Sequence, residues 1–394
     1  MMKQFWLTLA FVLLSLGLVG CTSAPSAAGR LIVWHTWDAE EADIIEQILA
    51  DFQRLHPEIQ LSVERKTYVT VLDEYAEAAR AGLGPDVLIG LESVYAHLLY
   101  ENGLVANLAS SGIEWALFEP ATLQSVQRDA GARVGVPLNA YVPILFFNRG
   151  LIEQPPSSFE ELTAVAAQGL TVGVPTTFFD SYWGLTGLDG TLFADNRLSA
   201  ESEADLANWL AWLVAFQQTP GAVLSPDIRA LVDGFGRGDL AMLVVNSLEL
   251  AYFEEALGSE QVGVAAIPGF PAAQPFSNVE LLVVNSASVQ TEAAVLLSNF
   301  MSNEAQQRKL ARATSGRAPV NRSVSLNPTL FPRVSVILQQ NQTAVIPTTQ
   351  QDDLINRLIV AADPIYQQVL EGLITPEEGA HLIIAAVNNG EEGQ

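Results

Sequence analysis

The residues able to do chemistry are aromatics, carboxylates and amides gathered where apolar runs end. His35-Thr36-Trp37-Asp38 closes the run that starts at Leu31, Glu92 and Tyr95 follow the run Asp86–Gly90, and Asn246 to Glu249 follow Leu240–Val245. Phe178-Phe179-Asp180-Ser181-Tyr182-Trp183 is the densest aromatic cluster, and without helical periodicity it reads as a loop. Aromatic rings offer flat apolar faces, while carboxylates and amides accept hydroxyl protons. A solute with C–H faces and a ring of hydroxyls, a sugar, needs that combination. Trp37, Tyr182 and Trp183 are the candidate stacking surfaces, with Asp38, Glu92, Asp180, Asn246 and Glu249 as candidate polar contacts. Each has a plainer reading: Asp38 can cap a helix, Trp37 can pack in a core, and Glu92 can open a helix in solvent. Trp209 and Trp212, on one amphipathic helix, read as core.

Other chemistries find less support. Four His and one Cys cannot build a Cys/His zinc framework, so neither a metal nor another cofactor is expected. Gly234-x-Gly236-x-Gly238 lacks a preceding strand and the nucleotide-loop spacing, and Arg237-Gly238-Asp239 fits a turn. No catalytic motif stands out, and the chain reads as a non-enzyme. A glycosidase with paired carboxylates about 5–9.5 Å apart remains compatible with so many acids. Lys and Arg total 19 against 44 Asp and Glu, a formal charge of -25, which repels nucleic acid.

The elements needed to hold such residues are legible. At 394 residues, 49% hydrophobic and 16% charged, the chain can bury two or three domain cores. Strand, helix, strand, helix, strand from Leu31 to Gly90 predicts a parallel sheet flanked by helices. The first helix carries Ile45, Ile48, Leu49, Phe52 and Leu55 on one face. Ser158 with Glu161, and Thr375-Pro376-Glu377-Glu378, are helix-start signatures. A second α/β block runs from about Leu170 to Val284, and the chain after Thr291 reads as nearly all helical.

Lys3 precedes an uncharged run from Gln4 to Gly20, as in secretory signals. The run ends Leu18-Val19-Gly20-Cys21, which resembles the bacterial lipobox, and Cys21 is the sole cysteine. Thr22 to Gly29 reads as a tether. The expectation is a signal peptide at 1–20, a lipidated tether at 21–29 with the lipid on Cys21, and an extracytoplasmic body anchored to a bacterial membrane.

Several segments together resemble the extracellular solute-binding proteins of ABC importers, in the maltose and maltodextrin branch. They are LIVWHTWD, DFQRLHPEIQLSVE, LGPDVLIG, VGVPLNAYVPILFFNRGLI, PPSSFEEL, FGRGDLAMLVVNS and SGRAPVNRSV, in the family's order. The resemblance implies a two-lobed periplasmic-binding-protein fold, α/β in each lobe, with hinge crossovers. It places crossovers near Asn139–Pro143 and Ser277–Leu281 and a third within Glu304–Val320. The lobes are then 30–139 plus 281–312 and 140–280 plus 313–394. It implies a monomer that hands a mono- or short oligosaccharide to an ABC permease. It adds Asn139, Tyr141, Asn278, Glu280 and Arg317 as cleft residues, with an internal carboxylate as an equal partner for Arg317. The maltodextrin binders carry tryptophans where this chain has Leu248, Glu249 and Ala251, which argues for a shorter ligand. The same fold binding a polyamine or a polyol phosphate is the alternative.

Overall fold

Short apolar runs pair into two main sheets, and amphipathic helices cover them. The structure is a computed structural model describing residues 29–389 apart from Asp38 and residues 129–130, 195–196, 271 and 314–315. The expected signal peptide, Cys21 and all of the tether but Gly29 lie outside the described residues, as does Asp38. No helix among the described residues is long and apolar enough to cross a membrane.

The strands are β1 (Gly29–His35), β2 (Ile59–Arg65), β3 (Val87–Glu92), β4 (Val136–Tyr141), β5 (Pro143–Asn148), β6 (Val172–Pro175), β7 (Phe193–Ala194), β8 (Arg197–Leu198), β9 (Ala222–Ser225), β10 (Met242–Asn246), β11 (Val262–Ala265), β12 (Asn278–Val284) and β13 (Ala318–Pro319). The first sheet is ordered β13-β4-β12-β3-β1-β2 and the second β11-β5-β10-β6-β9; β7 and β8 pair separately. β1 runs parallel to β2 and β3, as the sequence pattern requires, whereas β12 is antiparallel to both β3 and β4. The carboxyl ends of β1, β2, β3 and β4 and the start of β12 therefore share one edge. In the second sheet β10 is parallel to β6 and antiparallel to β5. The chain enters this sheet at Pro143, one residue after leaving β4, so the end of β10 lies beside the crossing.

The predicted faces and caps form. Ile45, Ile48, Leu49 and Phe52 of the helix Ala39–Leu55 are buried, while Leu55, at its last turn, is exposed. The Ser158 hydroxyl accepts from the Glu161 amide at 3.2 Å. Thr375 and Glu378 exchange side-chain and backbone hydrogen bonds at 3.2 and 2.9 Å, satisfying donors that a helix start leaves open.

Two expectations change. Phe178–Trp183 is not a loop but the start of the helix Phe178–Gly187. Phe178 and every residue from Ser181 to Gly187 are buried, so there is little solvent face and no amphipathic period to detect. Ala318–Pro319, assigned from sequence to the second lobe, pairs with β4 in the first sheet. That pairing covers backbone groups of β4 that would otherwise form an open edge. Asn321 still bridges Phe118, and the helix Pro332–Thr343 packs against β11 of the second sheet and equally against β13 of the first, so it sits across the junction of the two sheets.

Candidate functional site

The shared strand edge makes a cavity of about 470 Å³ lined by Thr36, Trp37, Arg65, Lys66, Thr67, Tyr68, Glu92, Tyr141, Leu248, Glu280 and Arg317. Its first-sheet wall follows from register. Glu280 lies opposite Glu92 on one side and Asn139 on the other, and Asn139 lies opposite Pro319. Directly opposed residues share a face, so one row across the sheet carries Glu92, Glu280 and Asn139. The period of two puts Tyr141 on the face of Asn139.

Arg317 anchors that wall. Its guanidinium meets Glu280 through Nε at 3.0 Å and Nη2 at 3.2 Å, pairs with Glu41 through Nη1, and lies 4.8 Å from the centre of the Trp37 ring. Arg317, Glu280 and Glu41 are all buried. Burial opposes the charge on Arg317, but the two carboxylates outweigh it and hold the guanidinium more firmly protonated than usual. Trp37 reaches this position because Gly90 makes room: φ at Gly90 is +88°, and a Cβ there would stand 2.4 Å from Thr36 Oγ1 and 2.9 Å from Trp37 Nε1.

Glu92 forms the second group. Hydroxyls of Tyr141 and Tyr68 both donate to it. Burial raises the Glu92 pKa, opposed by those two hydrogen bonds, and the nearby Glu280 charge raises it further. Burial and the same carboxylates push the Tyr141 and Tyr68 hydroxyls well above their ordinary range, so both stay protonated. The Tyr68 residue is 40% exposed, yet its hydroxyl bonds Glu92 within the cavity lining. Because each phenol donates inward, its oxygen is left to accept from whatever fills the cavity.

Bacterial extracellular solute-binding proteins match residues 47–332, well over half of the chain. The protein belongs to this family. The solute-binding chain is also 22% identical over 338 residues to the maltodextrin-binding protein MdxE of Bacillus subtilis, spanning 77% of this chain and 78% of that one. It is 22% identical over 152 residues to the maltotriose-binding protein of Pyrococcus abyssi, covering 36% of this chain but only 31% of that protein's length. Among solved structures, the GacH receptor of Streptomyces glaucescens, studied unliganded and with acarbose, superposes with a TM-score of 0.77 at 18% identity over 92% of this chain and 98% of that one. This likeness establishes the two-lobed α/β fold.

The cavity gathers Trp37, Glu92, Tyr141, Glu280 and Arg317 from the residues expected, and its lining does not include the other described ones. Tyr182 stacks on Phe276 with centroids 4.0 Å apart, and Trp183, wholly buried, packs against Phe159 and Trp209. Burying such a ring stabilises the lobe by roughly 1.5–3 kcal/mol, so both are core residues and offer no stacking face. Trp37 does line the cavity, but it is only 2% exposed and Arg317 covers one face, so it is no open platform either. Asp180 accepts from Thr177 Oγ1 at 2.6 Å near the helix start, and burial raises its pKa. Asn246 accepts from the Leu248 amide at 3.0 Å, a capping role. Glu249 is half-buried beyond the wall, and Asn278 opens β12 opposite Tyr141. Asn139 is 2% exposed and lies behind the lining, its amide without a hydrogen-bond partner among the described residues.

Sequence reasoning missed Glu41, Arg65, Lys66 and Tyr68. Arg65 ends β2 and Lys66 to Tyr68 follow it as Trp37 follows β1, so the rule that nominated Trp37 and Glu92 applied equally to them. Three cations, Arg65, Lys66 and Arg317, line the cavity, of which the sequence nominated Arg317 alone. Two are already engaged: Arg317 by Glu41 and Glu280, and Lys66 by Glu64 at 2.8 Å and Glu74 at 3.3 Å. Arg65 is exposed, at the mouth.

Proposed function

We propose that the protein captures a neutral sugar, a mono- or short oligosaccharide, outside the cytoplasm and delivers it to an ABC import permease without chemistry on the ligand. The observation that carries this reading is the acceptor-rich wall made by Glu92 with the Tyr68 and Tyr141 oxygens. Such a wall favours a ligand rich in hydroxyl donors. A phosphorylated polyol would meet Glu92 and Glu280, with Arg317 already committed to carboxylates. The Asn139 amide and Trp37 Nε1, buried beside the cavity with no hydrogen-bond partner among the described residues, add polar groups for a bound solute or its water to satisfy. Relatives described as maltotriose- and maltodextrin-binding proteins support the sugar class.

The lobes close as rigid bodies about the segments near Val142 and Ser277 and a third segment nearer the C-terminus, and the protein works as a monomer. Cys21, alone in its type and preceded by Leu-Val-Gly, carries the lipid that holds the protein at the membrane.

Calorimetry with glucose, maltose and maltotriose, with spermidine and sorbitol phosphate as contrasts, tests the ligand class. Saturable heat with a sugar and none with the contrasts is expected. Heat with spermidine alone transfers the site to a cationic solute, for which Glu92 is the natural counter-ion. Small-angle scattering should give a smaller radius of gyration at saturation, and Cys21→Ala should release the protein from membranes. An unchanged radius in a sample that binds would mean that the lobes do not close.

A further inference from the structure

The first-sheet wall and the second lobe meet at one side chain that does not itself line the cavity. Ser247 follows β10 and is wholly buried. Its amide donates to the Val142 carbonyl at 2.9 Å, its Oγ accepts from the Val142 amide at 3.2 Å, and the same Oγ donates to the Gly316 carbonyl at 2.5 Å. Gly316 approaches so closely that a Cβ there would stand 2.0 Å from the Ser247 carbonyl oxygen, and its φ of +86° is a conformation suited to glycine. The three residues joined are each one step from a lining residue: Val142 from Tyr141, Ser247 from Leu248, and Gly316 from Arg317.

We infer that Ser247 is a positioning residue for the solute site, tying Tyr141, Leu248 and Arg317 into one wall where the lobes meet. This rests on the cavity being the solute site. Without the hydroxyl, the Val142 amide and the Gly316 carbonyl both lose a buried partner, and water has no route to replace it. The chain then loosens on either side of the wall: before Arg317, whose guanidinium must stay aligned with Glu280 and Glu41, and after Tyr141, whose hydroxyl must stay on Glu92. A solute that needs those groups in place binds more weakly, although Ser247 never touches it.

The experiment compares Ser247→Ala with Ser298→Ala, which removes an equally buried hydroxyl bonded to the Ala294 carbonyl at 2.7 Å inside the helix Thr291–Ser302. Amide hydrogen exchange on the unliganded protein and maltotriose binding by calorimetry are the readouts, with Ser247→Thr as the variant that keeps the hydroxyl. Expected are exchange at Val142 faster by about tenfold and affinity weaker by about tenfold in Ser247→Ala, neither change in Ser298→Ala, and partial recovery in Ser247→Thr. Equal loss of affinity in Ser298→Ala, or unchanged Val142 exchange in Ser247→Ala, overturns the inference. If the unaltered protein binds no maltotriose or other sugar, the sugar reading falls, and the exchange at Val142 and around Arg317 alone decides whether Ser247 holds the wall.

Discussion

Replacing Arg317 with Met should be among the most damaging single changes to the cavity wall, and its cost should depend on pH. The substitution keeps an apolar chain of similar reach beside Trp37 and deletes the guanidinium that joins Glu280 and Glu41. Two buried carboxylates then face each other's field without a cation. Breaking a buried pair from one side costs about 3–5 kcal/mol, because the remaining charge stays desolvated. The sign with pH follows. In the variant, burial and mutual repulsion raise the folded-state pKa of both carboxylates above their unfolded values. The folded variant thus binds more protons than the unfolded chain across that interval, and its stability recovers as pH falls from 7.5 towards 5. Urea unfolding of both proteins at pH 7.5 and 5.0 measures this as a deficit that shrinks on acidification. Adding Glu280→Gln and Glu41→Gln should return part of the loss at pH 7.5 without further acidification. A deficit under about 1 kcal/mol at pH 7.5, or one identical at both pH values, would refute the claim that this cluster is a desolvated ion network.

Three further outcomes are expected. His97 is buried, donates from Nε2 to the Ser125 carbonyl at 2.6 Å, and is held down to a pKa of about 4, chiefly by burial; the stability it contributes is present above pH 6.5 and is lost as pH falls towards 4. At about 1.4 kcal/mol per pH unit this amounts to about 3 kcal/mol, read as a narrowing gap between the unaltered protein and His97→Gln in urea titrations at pH 7 and 4. Gly316→Ala should cost at least about 3 kcal/mol, combining steric overlap with left-handed strain, whereas Gly82→Ala, at φ +69° with open space around it, should cost only about 1–2 kcal/mol; thermal unfolding separates them. Tyr68→Phe removes one donor to Glu92 from a half-exposed ring, so maltotriose binding should weaken by about 1–2 kcal/mol while the melting temperature barely moves.

The sheet architecture was legible because β1 and β3 are apolar runs, β2 alternates apolar and polar residues, and helices with a clear period separate them, and the caps at Ser158 and Thr375 use short-range chemistry that a sequence displays directly. Trp37 and Glu92 were legible as cavity residues because position at a strand end is itself a sequence property, while Tyr141 came only from the family resemblance. Tyr182 and Trp183 misled for a reason intrinsic to helices buried on all sides: with nearly every residue of Phe178–Gly187 inside, the pattern carries no phase. Glu41 could not be found by local reasoning, since its partner Arg317 lies 276 residues away. The pairing of Ala318–Pro319 with β4 was equally hidden, because two residues are too few to show a strand pattern.

The antiparallel placement of β12 has a consequence for how the chain matures. β4 hydrogen-bonds only to β12 and β13 among the described strands, so when residues 29–141 have been made, β4 has no neighbour to join it to β3. The second sheet, by contrast, draws all its strands from residues 143–265 and can pair without waiting for anything downstream. The first sheet stays divided, with apolar edges open at β3 and β4, until residues 278–284 arrive, and its margin until 318–319. Pairings of such long sequence separation form slowly and leave unpaired edges exposed in the meantime. The lobe that begins the protein is therefore the one whose sheet closes last, and a chain stopped before residue 278 would carry the parts of that sheet without the strand that unites them.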